Sequence, residues 1–264
     1  MLGELGRYPV LIPALKLCFK YQYQMNYTDK NSLIYKATIE MKNNPHIDSW
    51  YTRVEKLKKL LQIRPLYGKP EKAGFNIDKI LKSKFDRFFL QEINEIKIGQ
   101  DGLNHNKLRL YSTFKGCFKQ ENYISNINNR NQRCWLSRYR TSAHSLRVET
   151  GRYTSPVTPL SQRLCVYCDS GECDTEQHAI LFCKTFMLKR QCFVGRVTAL
   201  CPAFLSLTAE QQLSTLLCPA TTALAKCVSK FLGIISETRK EIDLGFHPQA
   251  LQVYQKHKIQ LNTD

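Results

Sequence analysis

Residues 165–183 read CVYCDSGECDTEQHAILFC and contain four side chains with the chemistry and spacing of a tetrahedral metal site. Cys165 and Cys168 enclose two residues, which allows a tight turn to direct both sulfurs toward one point. Nine residues separate Cys168 from His178, and four separate His178 from Cys183. Three thiolates and one imidazole form a closed tetrahedron, which is typical of structural zinc sites. The sequence therefore predicts a structural Zn²⁺ bound by Cys165, Cys168, His178 and Cys183.

Other interpretations of this cluster remain open. Cys173 lies between Cys168 and His178 and is the main rival ligand, although a helix starting near residue 174 favours Cys183 by placing it beside His178. Four buried residues without a metal, or redox chemistry at the Cys-x-x-Cys turn, are further alternatives. The downstream His and Cys favour zinc over both. Because the four ligands leave no open position and no general base is adjacent, we expect no catalysis by zinc.

The segment before the cysteines is rich in arginine. Trp135 and Tyr139 lie four residues apart in it and are expected to pack in the core, so the arginines project from other faces. Arginine makes bidentate contacts with phosphate and stacks on bases, which suits RNA or single-stranded DNA. The alternative is a solvated charged face. The candidate nucleic-acid-binding residues are Arg130, Arg133, Arg138, Arg140, Arg147 and Arg152.

The composition supports a folded, strongly basic protein. The 264 residues carry a formal charge of +17, and 43% of them are hydrophobic. This length is compatible with one large domain or two small ones. A positive field of this size attracts polyanions, so nucleic acid is the expected partner and an anionic membrane surface is the alternative.

The cysteines and the apolar stretches indicate a reducing compartment. The chain has 11 cysteines, an odd number. Pro13 and Lys16 interrupt the apolar stretch near the start, so we expect no secretory signal. No uninterrupted apolar run approaches the roughly 20 residues that span a bilayer. We therefore expect a nuclear or cytoplasmic protein with reduced thiols and no membrane partner.

Hydrophobic periodicity predicts a mostly α-helical fold with a small embedded CCHC zinc knuckle. One predicted helix follows a cap at Asp48 or Ser49. Its apolar face consists of Trp50, Val54, Leu57 and Leu61. The clearest predicted helix follows a cap at Asn76, and its apolar stripe consists of Ile77, Leu81, Phe85, Phe88 and Ile96.

The remaining segments complete a predicted arrangement of three parts. We expect a linker over 65–74, a loop over 99–106 and a basic helix from about 125 to 140. A capping box of Asp174 with Gln177 predicts a helix that continues to about Val197. Two further helices are expected over 209–217 and 220–242, with a loose tail after Pro248. The predicted parts are a helical region (1–124), the arginine-rich helix with the knuckle (125–190) and C-terminal helices (191–264).

Two stretches resemble a known family. Arg147-Val-Glu-Thr-Gly-Arg-Tyr153, followed by Arg163-Leu-Cys-Val-Tyr-Cys168 and Asp174-Thr-Glu-Gln-His-Ala-Ile-Leu-Phe-Cys183, is similar to the C-terminal part of LINE-type (non-LTR) retrotransposon reverse transcriptases. That part carries a Cys-Cys-His-Cys zinc knuckle after an arginine-rich helical segment. Gly3-Glu-Leu-Gly-Arg-Tyr-Pro9 also resembles the stretch that follows the polymerase core. The resemblance covers about residues 1–190 and is strongest over 130–183.

The resemblance implies a role in holding template RNA or target DNA beside a polymerase. It also implies that the four predicted zinc ligands are the metal ligands and that residues 147–152 pack before the knuckle. Two features depart from the family pattern. Lys184 occupies the position after the last cysteine, where the family often has proline, and Cys173 is an additional thiol. We expect a detached or domesticated tail of such an element.

No enzymatic activity is expected. A polymerase needs paired aspartates for two metal ions, and the sequence contains no adjacent Asp-Asp. Asp86, Glu95 and Lys97 have the residue types of a nuclease site, but they fall in a helical pattern where positions two apart diverge. The expected function is non-catalytic binding of nucleic acid, and the rivals are a zinc-braced protein-interaction module and an inert transposon remnant.

Overall fold

The computed structural model describes residues 2–44, 48–63, 70–98 and 107–245. In these ranges helices are the only extended regular elements, and two isolated β-bridges join Leu5 to Gln120 and Leu164 to Cys173. The prediction of a mostly α fold is confirmed. The helices are α1 Leu2–Leu5, α2 Leu11–Met25, α3 Leu33–Asn43, α4 Trp50–Leu60, α5 Pro70–Ile98, α6 Arg109–Phe114, α7 Asn122–Asn126, α8 Arg130–Arg140, α9 Arg147–Thr150, α10 Met187–Leu200, α11 Ala209–Leu217 and α12 Thr222–Asp243.

Shorter helical turns fill the region around the cysteines. Turns of 3₁₀ type span Leu160–Gln162, Lys184–Phe186 and Pro202–Ser206, and a π-helical turn spans His178–Phe182.

The chain divides into two compact units. The N-terminal unit comprises Gly6–Glu92, and the C-terminal unit comprises Gly3–Leu5 together with the chain from Ile93 onward. The boundary falls within α5. The predicted parts 125–190 and 191–264 both contribute residues to the hydrophobic core of the C-terminal unit.

The N-terminal unit is a small helical assembly whose helix starts follow local capping rules. Ser49 caps α4 by accepting a hydrogen bond from the Thr52 amide at 3.2 Å, as expected for an N-cap serine. Ser32 does the same for α3. The buried residues that pack together in this unit are Ile12, Phe19, Val54, Ile63, Ile77 and Leu81.

Three sequence predictions for this region need correction. Asn76 does not cap a helix, because α5 already begins at Pro70, and proline is well suited to a first helical turn. Residues 70–74 are therefore helical and not part of a linker. Phe88 is 57% exposed, so it does not belong to a buried stripe with Ile77 and Leu81. Residues 65–69 and the predicted loop 99–106 lie outside the described residues, as does the tail after Pro248.

The core of the C-terminal unit forms around α12, which packs against α8 and α10. The rings of Phe193 on α10 and Phe231 on α12 stack with centroids 4.1 Å apart. On the α8 side, Trp135 lies so close to Gly233 that an added Cβ would be 3.0 Å from its ring. Glycine at this position therefore allows the indole to lie against the backbone of α12.

The predicted basic helix over 125–140 is divided into two helices. α7 ends at Asn126, and α8 begins at Arg130 after Asn129, whose side chain accepts a hydrogen bond from the Gln132 amide at 3.2 Å. Ile127 between the two helices is fully buried. A local cap and a buried anchor thus interrupt a pattern that resembles one helix in the sequence.

α11 and α12 are consecutive helices with many apolar residues. In the described part of the chain no single helix is long and apolar enough to cross a bilayer, and these two meet the length and composition test only as a pair bent by 104°.

Candidate metal centre

A short hairpin supplies the first two cysteines. The Cys165 amide donates to the Glu172 carbonyl and the Asp174 amide donates to the Arg163 carbonyl, both at 2.8 Å. Gly171 closes the turn with a φ of +67°, a conformation that glycine adopts without the steric cost of a Cβ. The hairpin therefore holds Cys165 on its first strand-like arm and Cys168 in its turn.

A π-helical turn supplies the other two ligands. Over His178–Phe182 the backbone adopts i→i+5 hydrogen bonding, and the Cys183 amide donates to the His178 carbonyl at 2.7 Å. In an α-helix, residues five apart point about 140° away from each other. The wider π turn brings Cys183 and His178 to one side, and such turns are frequent at functional sites.

The structure corrects two predictions about this segment. The Asp174 side chain does not cap the helix, since Thr175 Oγ1 accepts the His178 amide at 3.1 Å instead. The expected continuous helix to Val197 is also wrong, because the π turn ends at Phe182 and α10 begins only at Met187.

The four predicted ligands converge. One ligand atom from each of Cys165, Cys168, His178 and Cys183 lies within 4.8 Å of all the others, and the group is buried. Cys165 Sγ is 3.9 Å from Cys183 Sγ, and Cys168 Sγ is 3.4 Å from His178 Nε2. This group could hold a metal ion. Cys173 is not part of it, because its Sγ is directed at the Leu160 carbonyl at 3.3 Å.

A carboxylate orients the histidine. Glu172 Oε2 lies 2.7 Å from His178 Nδ1, which leaves Nε2 directed toward Cys168 Sγ. Metal-binding histidines commonly donate their second ring N–H to such a carboxylate. Sequence analysis missed Glu172, and only its position one residue after Gly171, at the end of the hairpin turn, could have indicated it.

The interactions within the site shift the pKa of Cys183 toward its metal-binding form but shift those of Cys165 and His178 toward the protonated forms. The contact with Cys165 lowers the pKa of the Cys183 thiol and raises that of Cys165. Burial lowers the pKa of His178, but contacts with Cys183 and Glu172 outweigh burial and raise it to about 9. Cys183 is therefore poised as a thiolate, the form that binds metal, and binding displaces protons from its neighbours.

The predicted arginines occupy different environments. Arg130 and Arg138 are exposed, and the Arg138 guanidinium lies 4.9 Å from the centre of the Trp135 ring. Arg133 donates to the carbonyls of Ile127 and Asn128 at 2.6 and 3.0 Å, so it holds the start of α8.

Arg140 is fully buried and is not available to a ligand. Its Nε and Nη2 each lie 3.0 Å from an oxygen of Glu4, and Nη2 also pairs with Glu121 at 3.0 Å. Assigning Arg140 to a nucleic-acid surface is therefore wrong. The reason is tertiary, because Glu4 lies 136 residues away in the sequence.

Arg152 and Arg147 lie beside a buried ionic network next to the metal centre. Arg152 Nε pairs with Glu149 at 2.9 Å, and Arg109 bridges Glu149 and Glu176. Burial raises the pKa of Glu176, but its hydrogen bond to His144 and the charges of His144 and Arg109 outweigh burial and lower it to about 2. Because Arg152 pairs with the buried carboxylate of Glu149, it stabilises the fold and is not open to a nucleic acid.

The backbone amide of Arg147 donates to Asp174 Oδ2 at 2.8 Å, and its side chain is partly exposed. Of the six candidates, Arg130 and Arg138 thus remain the most open, and Arg147 remains partly open.

The last helix is attached to the knuckle. The Tyr167 hydroxyl lies 3.0 Å from both carboxylate oxygens of Asp243 at the end of α12. The Arg239 guanidinium lies 4.5 Å from the centre of the Tyr167 ring. Neither α12 residue could be associated with the cysteines from spacing alone.

No family model, curated protein or solved structure matches the chain.

Proposed function

We propose that the protein is a non-catalytic binder of RNA or single-stranded DNA whose C-terminal unit is stabilised by one structural Zn²⁺. The observation that carries this proposal is the convergence of three sulfurs and one imidazole nitrogen in a buried group, beside an arginine-bearing helix. The protein would act in the nucleus or cytoplasm, where thiols stay reduced.

Two of the six separations between ligand atoms are close to those of a zinc site. A tetrahedral site with Zn–S and Zn–N bonds of about 2.3 and 2.1 Å requires separations of roughly 3.8 Å between sulfurs and roughly 3.6 Å between sulfur and nitrogen. The observed separations are 3.9 Å for Cys165 and Cys183 and 3.4 Å for Cys168 and His178. Soft thiolates with one imidazole are also the ligand set that selects zinc over calcium or magnesium.

A structural role is favoured by burial and by ligand number. Four protein ligands complete a tetrahedron and leave no position for a substrate or an activated water. The sequence lacks the adjacent aspartates of a polymerase. We therefore assign the metal to folding and not to catalysis.

Nucleic acid is supported by charge and by side-chain chemistry. The chain carries a formal charge of +17, and Arg138 is stacked on Trp135 with its outer face exposed. An exposed arginine side chain is suited to contacting phosphate and to stacking on unpaired bases. The resemblance to the tail of LINE-type reverse transcriptases implies the same class of ligand.

Two measurements on the purified full chain test this proposal. Elemental analysis is expected to give one zinc per chain. Titration of a fluorescent single-stranded RNA is expected to show an affinity that falls steeply as salt rises, because phosphate contacts release counterions. Absence of zinc, or absence of binding at low salt, would contradict the proposal.

A second candidate is a protein-interaction module, and a specific observation favours it. A groove of about 350 Å³ next to the metal centre is lined mainly by apolar side chains. Phe182, Met187 and Leu205 are about half or more exposed there. Apolar docking of a protein would be nearly independent of salt, so the same titration series distinguishes the two candidates.

A further inference from the structure

We propose that the solvent-exposed face formed by α10 and α12 is a second part of the nucleic-acid site and binds the phosphate backbone of a single strand. This inference rests on the proposed function and extends it to residues 187–243, which the family resemblance leaves almost entirely uncovered. The basic α10–α12 face is defined by Arg196 on α10 and by Lys226 and Lys230 on α12.

The three cations come together because the two helices run antiparallel. Phe193 stacks on Phe231, and Lys189 Nζ lies 2.9 Å from Thr238 Oγ1. Residues earlier in α10 thus face residues later in α12. Arg196 consequently lies opposite the first half of α12.

Arg196 and Lys230 each lie near Cys227 of α12, beside the packing of α10 against α12. Cys227 is partly buried on α12, one residue after Lys226. Burial raises the pKa of its thiol, and the nearby charges of Arg196 and Lys230 oppose this rise. The two cations therefore act on the same point of the seam between the helices.

Basic residues predominate around the three cations, whereas the second half of α12 carries the exposed acids Glu237, Glu241 and Asp243, so the basic face is confined to the first half of that helix. Between Lys184 and Ser236 the sequence contains six basic residues and one acidic residue, Glu210. Arg196, Lys226 and Lys230 are all exposed, and none of them pairs with a carboxylate of the described residues. Lys226 and Lys230 are also four apart on one helix, an arrangement of like charges that is destabilising without an anion. A polyanion on this face removes that repulsion.

The basic α10–α12 face lies next to the exposed Arg138 of α8. The Trp135 ring lies against the Arg138 guanidinium and also contacts Gly233 on α12. Gly233 follows Lys230 by three residues, so the two positions lie one helical turn apart. The phosphates of a strand that contacts Arg138 can therefore reach Lys230 and then Arg196 without leaving the C-terminal unit.

The test compares two triple variants of the full chain. One variant removes the face with Arg196→Gln, Lys226→Gln and Lys230→Gln. The matched control carries Lys36→Gln, Lys56→Gln and Lys59→Gln, three exposed lysines of the N-terminal unit, so its net charge falls equally. Each protein is titrated with fluorescent oligouridylate at several salt concentrations, and circular dichroism and zinc content verify that each is folded.

We expect the face variant to bind more weakly and with a shallower salt dependence. Each phosphate contact on a single strand contributes roughly 0.7 to the slope of log K against log salt, so losing three contacts lowers the slope by roughly 2. The control is expected to keep the slope of the unmodified protein. An unchanged slope in the face variant, or an equal fall in both variants, overturns this inference and leaves the proposed function standing.

Three further outcomes are decisive. If the unmodified protein binds no RNA, the proposed function itself fails. Photo-cross-linking of a 4-thiouridine probe to the unmodified protein is expected to label peptides from α8, α10 and α12, and labelling confined to other helices overturns the inference. Binding of anionic vesicles that the face variant loses while its RNA binding is intact would assign the face to membranes instead.

Discussion

Asp174 and Arg239 form a buried bidentate ion pair, with Asp174 Oδ1 2.7 Å from Arg239 Nη2 and Oδ2 2.9 Å from Nη1. Asp174 lies between the candidate ligands Cys168 and His178 in the sequence, whereas Arg239 is on α12. The pair therefore connects the metal-binding segment to the last helix. Because α12 packs against α8 and α10, the metal centre and the proposed binding surfaces belong to one structure.

Arg239→Ala should strongly destabilise the protein. Removing one partner leaves Asp174 buried without its counter-charge, and such losses typically cost about 3–5 kcal/mol. Urea unfolding of the zinc-loaded protein measures this cost. The control is Lys240→Ala at the exposed neighbouring position, which should change the free energy of unfolding by less than about 0.5 kcal/mol. Equal stability of the two variants would show that the ion pair contributes little.

Cys168→Ser should release the metal and unfold the knuckle. Structural zinc supplies on the order of 10–16 kcal/mol in small peptides, and the short hairpin has little core of its own. Elemental analysis and thermal unfolding check this expectation. Cys117→Ser, at an exposed cysteine outside the site, should retain one zinc and an unchanged Tm. A Cys168 variant with full zinc content would remove Cys168 from the ligand set.

Cys173→Ser should leave the metal content unchanged. The Cys173 sulfur faces the Leu160 carbonyl and not the other ligands. Zinc release titrated with a chromogenic chelator measures both the stoichiometry and the affinity. If this variant loses its zinc while Cys183→Ser keeps it, Cys173 and not Cys183 is the fourth ligand.

Arg138 and Arg140 should respond in opposite ways to substitution. Arg138→Gln combined with Arg130→Gln removes exposed charge and should weaken RNA binding without altering the fold. Arg140→Ala leaves the buried Glu4 carboxylate without its counter-charge and should cost about 3–5 kcal/mol of stability. Anisotropy titrations and urea unfolding of both variants separate the two effects. RNA affinity that is unaffected by the double substitution would exclude α8 from the binding surface.

Two glycine substitutions should also have opposite effects. A Cβ at Gly151 would lie 2.8 Å from the Arg163 side chain, which is held by its hydrogen bonds to the Thr158 and Val148 carbonyls. Gly151→Ala should therefore cost about 1–3 kcal/mol through overpacking.

Gly195→Ala is the matched control for this substitution. Gly195 lies in α10 with open space around it, so Gly195→Ala should stabilise the helix by up to about 1 kcal/mol. Thermal unfolding under identical zinc conditions measures both effects, and a stabilised Gly151 variant would contradict the contact with Arg163.

Local features of the sequence were sufficient for several parts of the structure. The convergence of the four candidate ligands could be predicted because they lie within 19 residues and their spacing has few other uses. The bounds of α11 were predicted correctly because its hydrophobic pattern is uninterrupted, and a capping box at Thr208 and Gln211 marks its start. The cap at Ser49 depends on three neighbouring residues only.

The tertiary structure alone decided which polar residues are buried and which remain available. Arg138 and Arg140 are two residues apart and chemically identical, yet one is exposed and the other lies against Glu4, because burial depends on elements that fold from distant parts of the chain. The π turn likewise brings His178 and Cys183, five residues apart, to one side. Helical periodicity does not predict such a turn. Sequence by itself thus determined the helical class and which three cysteines and one histidine form the candidate site. Long-range packing determined the ligand geometry, the Asp174–Arg239 connection and the cations that face solvent.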